Sequence, residues 1–545
     1  MPTYCHFRRV VLVFCCVWLS SATLSTAVAQ SGSLKRPNIL IAISDDQSYP
    51  HASAYGDAAS RTPNFDRVAK SGVLFHNAFT PAPGCSPMRA AFLTGREIWQ
   101  LREAGTHASY FPTDLPVYTQ QLDAAGYHVG MTGKGWAPGK AEGWPHNPAG
   151  QDYGKRKQKS PPGISSNDYA ANFDDFLDAR DDDQPFCFWF GASEPHRVFG
   201  RGLGAKNGID PDQVSVPEFL PDSPTVRSDI ADYLFEIEWF DNHLGRMLDR
   251  LQREGELENT LVVVTSDNGM SFPRAKANLY EYGVHMPLAI AWPQRIPGGK
   301  QSDDLVSLID VTKTIFAAAA VQPQQADQMP GHNLLPRLSD QAGKTPPVRQ
   351  AVYSGRERHS SSRYHTLGYP GRCIRTDTHL YIRNFAPERY PAGAPQKYDS
   401  ADFDDSAQLV ESTLGPVDGG YHDIDACPTL DWMIENKADP QINRLLELAV
   451  GMRPAQELYD IRVDPACLNN LADDPGSRSL CDQLDSQLQS YLRQTEDVRV
   501  TDPANADVWE TYPRVSGLRW FPIPQWAIDQ PDKVPRQTWL EERRP

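Results

Sequence analysis

Apolar segments with the length of buried strands alternate with amphipathic segments from Pro37 to Ala320, and this alternation constrains the fold most. The long segment Ser228–Leu251 carries apolar residues at helical spacing along one face. Strands that are apolar throughout and alternate with helices favour an α/β fold with a mostly parallel central sheet flanked by helices. The predicted strands lie in RPNILIAIS, GVLFHNAF, YHVGMTG, QPFCFWFGAS, TLVVVTSDNG and MPLAIAWP.

Three other segments predict helices. TPNFDRVAKSG places Thr62 at the N-cap, Pro63 at the first helical position and Gly72 just beyond the end. The other two are Leu115–Ala125 and LVSLIDVTKTIFAAAA. After about Asp340 the chain changes to short polar segments with many prolines and glycines. We therefore predict a large domain at residues 34–345 and a smaller α+β C-terminal subdomain at residues 346–545.

The N-terminus predicts export. Arg8 and Arg9 precede an apolar run, Val10–Leu19, and the A-x-A pattern of Ala27–Ala29, which together are typical of a secretory signal peptide at residues 1–29. The apolar run is short for a bilayer span, so a membrane anchor is the weaker interpretation and no stable membrane insertion is expected. Lipoprotein attachment is an alternative that the bulky Phe14 disfavours. We expect a secreted or periplasmic protein.

Six cysteines follow the signal peptide, and export exposes them to oxidants. The candidate disulfide pairs are Cys467 with Cys481 and Cys373 with Cys427. Cys187 lies inside a predicted buried strand, where a free cysteine packs as a small apolar residue. Cys85 is left without an evident partner, so it is a surface thiol, an unrecognised disulfide or a functional group.

Polar side chains follow two of the predicted strands where each strand ends. Asp45 and Asp46 follow the first strand, and Asp267 and Asn268 follow TLVVVTS. Ligands of open α/β sheets collect at the carboxyl ends of the strands. Carboxylate and amide oxygens suit Ca²⁺ or Mg²⁺ rather than zinc. Helix caps and turns are the alternative for either pair taken alone.

The segment CSPMRAAFLTGR, from Cys85 to Arg96, resembles the signature of the type I sulfatases, Cys-x-Pro-x-Arg followed by Thr-Gly-Arg. NILIAISDDQ, VVTSDNG, LYEYGVHMPLAIAWP and ELYDIRVDPACLNNLADDP are similar to further segments of that family, in family order. SEPHR, SDNGMSFPRAKANLY and SGRERHSSSRYHTLGYPGR look most like heparan N-sulfatase and related bacterial glycan sulfatases. The resemblance implies the alkaline-phosphatase-like sulfatase fold and makes residues 34–345 the catalytic domain.

The resemblance implies that Cys85 is oxidised to Cα-formylglycine by a formylglycine-generating or an anaerobic maturation enzyme. The hydrated aldehyde would attack sulfur with one hydroxyl and use the other to expel sulfate, which is covalent catalysis with a built-in release step. Arg89 would hold the hydrated aldehyde. The implied Ca²⁺ ligands are Asp45, Asp46, Cys85, Asp267 and Asn268. The ion would lower the pKa of the hydroxyl and polarise the sulfate oxygens.

Three further residues match the positions that bind sulfate or protonate the leaving group in this family. Lys134 and Lys276 match sulfate-binding basic residues, and His196 matches the general acid. A solvated loop lysine and a packed turn histidine are the alternatives. The chain departs from the family at Trp136, where a histidine is usual. An indole cannot relay a proton, so His146 or His107 is a candidate substitute, and Trp136 is a candidate wall for a sugar ring.

The net charge of −16 disfavours nucleic-acid binding and repels polyanions, so a sulfated oligo- or polysaccharide substrate requires a local basic pocket. The candidate substrate-binding residues, besides Trp136, are Arg197, Arg356, Arg358 and His359. A solvated charged loop is the alternative for the last three. Two other functions remain open: a phosphodiesterase or phosphonate hydrolase of the same superfamily, and a non-enzymatic relative that binds sulfated glycans.

Overall fold

The structure is a computed structural model that describes residues 35–340, 343–395, 420–521 and 523–541. The predicted signal peptide at residues 1–29 lies outside the described residues. Within them, no helix combines the length and the hydropathy that a bilayer crossing requires.

Eight strands form one large mixed sheet in the order β4-β3-β5-β1-β6-β7-β2-β8. Only β7 runs antiparallel to the strands on both of its sides, so the sheet is mostly parallel, as predicted. The strands are β1 (Asn38–Ser44), β2 (Val73–Phe79), β3 (His128–Gly133), β4 (Gln151–Asp152), β5 (Phe186–Gly191), β6 (Thr260–Ser266), β7 (His285–Ala291) and β8 (Lys300–Ser307).

Helices cover both faces of this sheet, and its central strands β1, β5 and β6 are therefore buried along their whole length. The helices of the first part of the chain are α1 (Pro63–Ser71), α2 (Cys85–Thr94), α3 (Tyr118–Ala124), α4 (Tyr169–Asp178), α5 (Leu203–Lys206), α6 (Pro224–Arg253), α7 (Glu281–Val284), α8 (Leu308–Ala319) and α9 (Leu335–Leu338).

A second, antiparallel sheet follows in the order β12-β11-β10-β9. Its strands are β9 (Val352–Arg356), β10 (Gly371–Arg375), β11 (His379–Asn384) and β12 (Gln456–Asp460). The remaining helices are α10 (Pro428–Glu435), α11 (Pro440–Val450), α12 (Arg478–Gln494), α13 (Val498–Thr501), α14 (Val508–Thr511), α15 (Gln525–Asp529) and α16 (Thr538–Glu541). The predicted α/β core with a smaller C-terminal α+β part is confirmed. The boundary between residues 345 and 346 stays a prediction.

The pairing of β1 with β6 determines where the candidate site forms. The two strands are parallel, and Ser44 lies opposite Ser266 at their carboxyl ends. The residues that follow these serines, Asp45 and Asp267, therefore emerge side by side at one edge of the sheet.

The predicted disulfide between Cys467 and Cys481 is absent, and all six cysteines among the described residues are free. Cys467 packs in one hydrophobic cluster with Cys373, which lies on one face of the small sheet. Cys481 lies on α12 and packs in a different cluster with Tyr381, on the opposite face. The small sheet therefore separates the two sulfur atoms. Cys427 packs in a third cluster, so the second candidate pair is wrong as well.

Peptide mapping tests this correction. When the protein is alkylated in denaturant without reductant, Cys467 and Cys481 are expected to be recovered as alkylated thiols. The unfolding midpoint should also be the same with and without reductant, because a bridge closing this loop would contribute about 3 kcal/mol in the chain-entropy model. A disulfide-linked peptide that contains either residue would contradict the structure.

Candidate active site

Three buried carboxylates and one carboxamide meet at the carboxyl ends of β1 and β6. The backbone N–H of Asp46 donates to Asp267 Oδ1 over 3.0 Å, and Asn268 Nδ2 donates to Asp46 Oδ1 over 2.7 Å. Asp45, Asp46 and Asp267 each place a carboxylate oxygen within 4.8 Å of the others. The structure thus brings together the four predicted metal ligands that come from these strand ends.

The donor set fits a hard divalent cation. Asp45 Oδ1 and Asn268 Oδ1 are buried and accept no hydrogen bond. Buried oxygen atoms without a partner are uncommon in folded proteins, and a bound ion is one way to satisfy them. Oxygen donors alone, with several negative charges, suit Ca²⁺ or Mg²⁺.

Cys85 lies at the first position of α2, against this cluster. Its Sγ atom is 3.9 Å from Asp46 Oδ1, and the side chain has no exposed surface. Burial raises the pKa of the Cys85 thiol well above its usual range, and Asp45 raises it further. A protonated thiol is a weak nucleophile, so the unmodified cysteine is not an activated one.

Arg89, one helical turn after Cys85, contacts the carboxylates of this cluster. Its Nε donates to Asp267 Oδ2 over 2.8 Å, and one terminal nitrogen donates to the Lys134 carbonyl over 2.5 Å. Its other terminal nitrogen is buried, lies 3.8 Å from Asp45 Oδ1 and makes no hydrogen bond. This free N–H group is available to an anion bound beside Cys85.

Two lysines neutralise the outer carboxylates. Lys134, which follows β3, donates to Asp45 Oδ2 over 2.5 Å, and Lys276 donates to Asp46 Oδ2 over 2.7 Å. Burial lowers the pKa of each lysine, but the carboxylates beside them raise it more, so both remain charged. Both predicted sulfate-binding lysines therefore lie at the cluster.

His196 lies at the edge of the site, with 35% of its side chain exposed. Its Nε2 is 3.1 Å from Lys276 Nζ. Its Nδ1 is 2.6 Å from the carbonyl of Arg197, so Nδ1 carries the proton of the neutral ring. Nε2 therefore faces the site, which is the orientation that a general acid requires.

Sequence reasoning missed Asp425. Its carboxylate accepts a hydrogen bond from Lys276 over 2.8 Å, and it groups with Asp46 and His196. Burial raises the pKa of Asp425, but Lys276 lowers it more, so the group is ionised. Nothing in the local sequence marks Asp425 as a site residue. It lies 149 residues after Lys276, and only the tertiary fold brings the two side chains together.

The arginines predicted to form a local basic pocket are buried, and all but Arg358 are held in ion pairs, so their substrate-binding role stays a prediction. Arg197 makes a bidentate pair with Asp229 and packs against two aromatic rings. Arg356 donates to Asp423 over 2.6 Å, and Arg363 pairs with the same carboxylate. Arg358 is also buried and donates to a backbone carbonyl of the C-terminal segment.

Trp136 is not a sugar wall. Its ring is 2% exposed, and its Nε1 donates to the Ser86 carbonyl over 3.0 Å beneath α2. Of the candidate substitutes for the missing histidine, His146 is exposed and lines a separate groove beside Trp144. His107 is half-buried, and its ring lies against that of His359 with centroids 4.7 Å apart and a tilt of 35°.

Comparison with known proteins agrees with this geometry. The sequence profile of the Sulfatase family matches residues 37–321, a little over half of the chain. The chain belongs to the sulfatase family. A second profile, described as N-sulphoglucosamine sulphohydrolase, C-terminal, matches residues 274–385. Family membership makes the protein a hydrolase that acts on sulfate.

Two similar relatives and one solved structure extend the comparison. Human N-sulphoglucosamine sulphohydrolase is 29% identical over 86% of this chain and 92% of that protein. An ulvan-active sulfatase of Formosa agariphila is 26% identical over 85% of this chain and 81% of its own. A protein solved with its substrate D-glucosamine-2-N,6-O-disulfate has a TM-score of 0.59 at 20% identity, over 86% of this chain and 99% of that chain. This likeness supports the predicted fold.

The substitution Asp423→Asn tests the structural role of the buried arginines. It leaves Arg356 and Arg363 without a charged partner, so we expect the free energy of unfolding to fall by about 3–5 kcal/mol. Denaturant unfolding followed by circular dichroism measures the change. Asp222→Asn is the matched control: that carboxylate is 59% exposed, and its pair with Arg227 should contribute about 1 kcal/mol or less. Equal midpoints for the two variants would contradict this role.

Proposed function

We propose that this protein is a secreted sulfatase that removes sulfate from a terminal sugar of a sulfated saccharide, with residue 85 converted to formylglycine. One observation carries the proposal: Cys85, at the first turn of α2, is enclosed by the acidic cluster, Arg89 and the two lysines. The signal-like N-terminus supports secretion. Conversion of Cys85 requires a maturation enzyme as a partner.

The side chains of Asp45, Asp46, Asp267 and Asn268 would hold Ca²⁺, together with residue 85. When bound, the ion supplies Lewis acidity that lowers the pKa of a hydroxyl and polarises sulfate oxygens. Arg89 and the two lysines provide three positive charges against four carboxylates, Asp425 included. Binding of an anionic sulfate ester or sulfamate therefore depends on the added charge of the ion.

The protein's own residues then have distinct tasks. Lys134 and Lys276 hold the sulfate oxygens through ammonium groups whose charge the neighbouring carboxylates maintain. Arg89 keeps Asp267 in place and points its free N–H group at the position of the anion. In its imidazolium form, His196 gives the Nε2 proton to the departing sugar oxygen or nitrogen, because Nε2 faces the site.

The relatives and the residues around the site support the proposed substrate class. The similar proteins are named for sulfated sugars, which favours a sulfated saccharide here. The C-terminal residues Asp425 and His359 lie next to Lys276 and Gly84, and a site enclosed by the C-terminal part of the chain would suit the end of a saccharide chain. The alternative, a phosphodiesterase or phosphonate hydrolase, would share the acidic cluster and differ in the group that it accepts.

Two measurements on one preparation test this function. Peptide mass spectrometry of protein produced with a formylglycine-generating enzyme is expected to find formylglycine at residue 85. The same protein should release sulfate from O- or N-sulfated oligosaccharides faster than from nitrophenyl sulfate, because polar groups of a sugar site stay unpaired with an aryl ester. Cys85→Ala should abolish release.

Different results would reject different parts of the proposal. An active enzyme with only a thiol at residue 85 would reject the formylglycine chemistry. Faster release of nitrophenol from bis(nitrophenyl) phosphate or from a nitrophenyl phosphonate than from nitrophenyl sulfate would favour the alternative hydrolase. Equal rates on the aryl ester and on every saccharide would reject the substrate class.

Calcium binding is a separate prediction. Asn268→Ala removes an oxygen that has no partner in the protein, so it should weaken Ca²⁺ binding by more than about 100-fold, beyond the usual cost of an outer-shell substitution. Isothermal titration calorimetry of the metal-stripped protein measures this change. The control Asn207→Ala alters an amide at the surface and should leave the affinity unchanged. Unaltered calcium affinity in Asn268→Ala would show that the ion, if bound, lies elsewhere.

A further inference from the structure

Two imidazole rings, the buried His359 and the half-buried His107, lie beside the first turn of α2 with ring nitrogens that have no hydrogen-bond partner. The ring of His107 packs on that of His359, with centroids 4.7 Å apart and an angle of 35° between the planes. His107 Nδ1 and His359 Nε2 are buried and make no hydrogen bond. His359 is 7% exposed. Buried polar atoms of this kind are rare unless a ligand or a reacting group completes them.

The segments that carry these rings contact the residues on both sides of Cys85. A methyl group placed on Gly84 would lie 3.2 Å from Cδ2 and 3.8 Å from Nε2 of His359. On the other side, the N–H of Ala108 donates to Ser86 Oγ over 3.1 Å. The two imidazoles therefore flank the first turn of α2, where Cys85 is located.

Asp423 orients His359. Its Oδ1 lies 3.5 Å from His359 Nδ1, and the same oxygen accepts hydrogen bonds from the backbone N–H and the hydroxyl of Ser360. Arg514 donates to the His359 carbonyl over 3.0 Å and fixes the backbone. Nδ1 thus faces a carboxylate, and Nε2 lies on the Gly84 side. A base whose second nitrogen is oriented by a carboxylate is the usual arrangement of an activated imidazole.

Trp136 cannot perform the same task. Its only polar atom, Nε1, donates to the Ser86 carbonyl, and an indole has no acceptor. His196 also lies near Cys85, but its Nε2 faces the Lys276 ammonium group at 3.1 Å. The His359 ring therefore offers an oriented imidazole with a free Nε2 next to the first turn of α2.

We propose that His359 is a further catalytic residue, the base of the step that releases sulfate. This inference rests on the proposed function, because it requires formylglycine at residue 85. His359 Nε2 takes the proton of the free hydroxyl on that residue. The electron pair of the broken O–H bond re-forms the carbonyl, the C–O bond to the sulfate group breaks, and its electron pair leaves with the sulfate dianion. The imidazolium later returns the proton to water.

The substitution His359→Gln tests the proposal through a readout other than turnover. Variant and wild type are exposed to a sulfated oligosaccharide, quenched and digested, and the mass of the residue-85 peptide is measured. The variant is expected to be converted to formylglycine like the wild type but to retain a sulfo group on this peptide, with turnover lower by about 100-fold or more. His379→Gln, at the first residue of β11, is the matched control and should retain none.

The outcomes separate the two hypotheses. A His359→Gln enzyme that turns over like the wild type, or that is slow without retained sulfate, overturns the role of His359. His107→Phe keeps the stacked ring, so retention in that variant alone would assign the base to His107 instead. If His359→Gln loses its cooperative unfolding transition, His359→Ala with added imidazole replaces it, and lack of rescue overturns the proposal. A wild type that releases no sulfate rejects the proposed function itself.

Discussion

The mutual repulsion of Asp45, Asp46 and Asp267 is the constraint on which the rest of the site depends. These three buried carboxylates have oxygen atoms within 4.8 Å of one another, so positive charge nearby is required to offset their repulsion. Burial and the charge of Asp45 raise the pKa of Asp267, while Lys134 holds that of Asp45 low against the effect of burial. Arg89 and the lysines therefore reduce the cost of a cluster that a divalent ion would complete.

Much of the architecture could be predicted because local patterns decide it. The helix α1 begins at Pro63 and ends before Gly72, as its cap residues indicate. The strands that end at Ser44 and Ser266 were predictable from their apolar runs, and the parallel arrangement then placed their acidic neighbours together. The long helix α6 begins at Pro224, earlier than predicted, because Ser223 caps it and Pro224 suits the first turn.

The errors have a common physical origin in tertiary context. The segment LVSLIDVTKTIFAAAA was predicted to be helical throughout, but its first residues finish β8 and Ser307 caps α8. The charge of the segment Arg356–Arg363 indicated a solvated or substrate-binding surface. Arg356 and Arg363 are instead buried, because both pair with the buried Asp423 carboxylate. Asp425 and the orientation of His359 depend on side chains distant in sequence, which periodicity does not report. The predicted pairing of Cys467 with Cys481 is wrong because residues close in sequence can lie on opposite faces of a sheet, as these two do.

The enclosure of Cys85 also limits the period during synthesis in which another protein can reach its side chain. The site draws on residues from Asp45 to Asp425, and Arg372 of the small sheet is held by Asp497, later still in the chain. A growing chain therefore presents the cysteine long before the segments that cover it exist. Contacts of such large sequence separation form late, because the loops that they close are long. Any enzyme that must reach this side chain has a window that opens when α2 is synthesised and closes when the C-terminal segment docks.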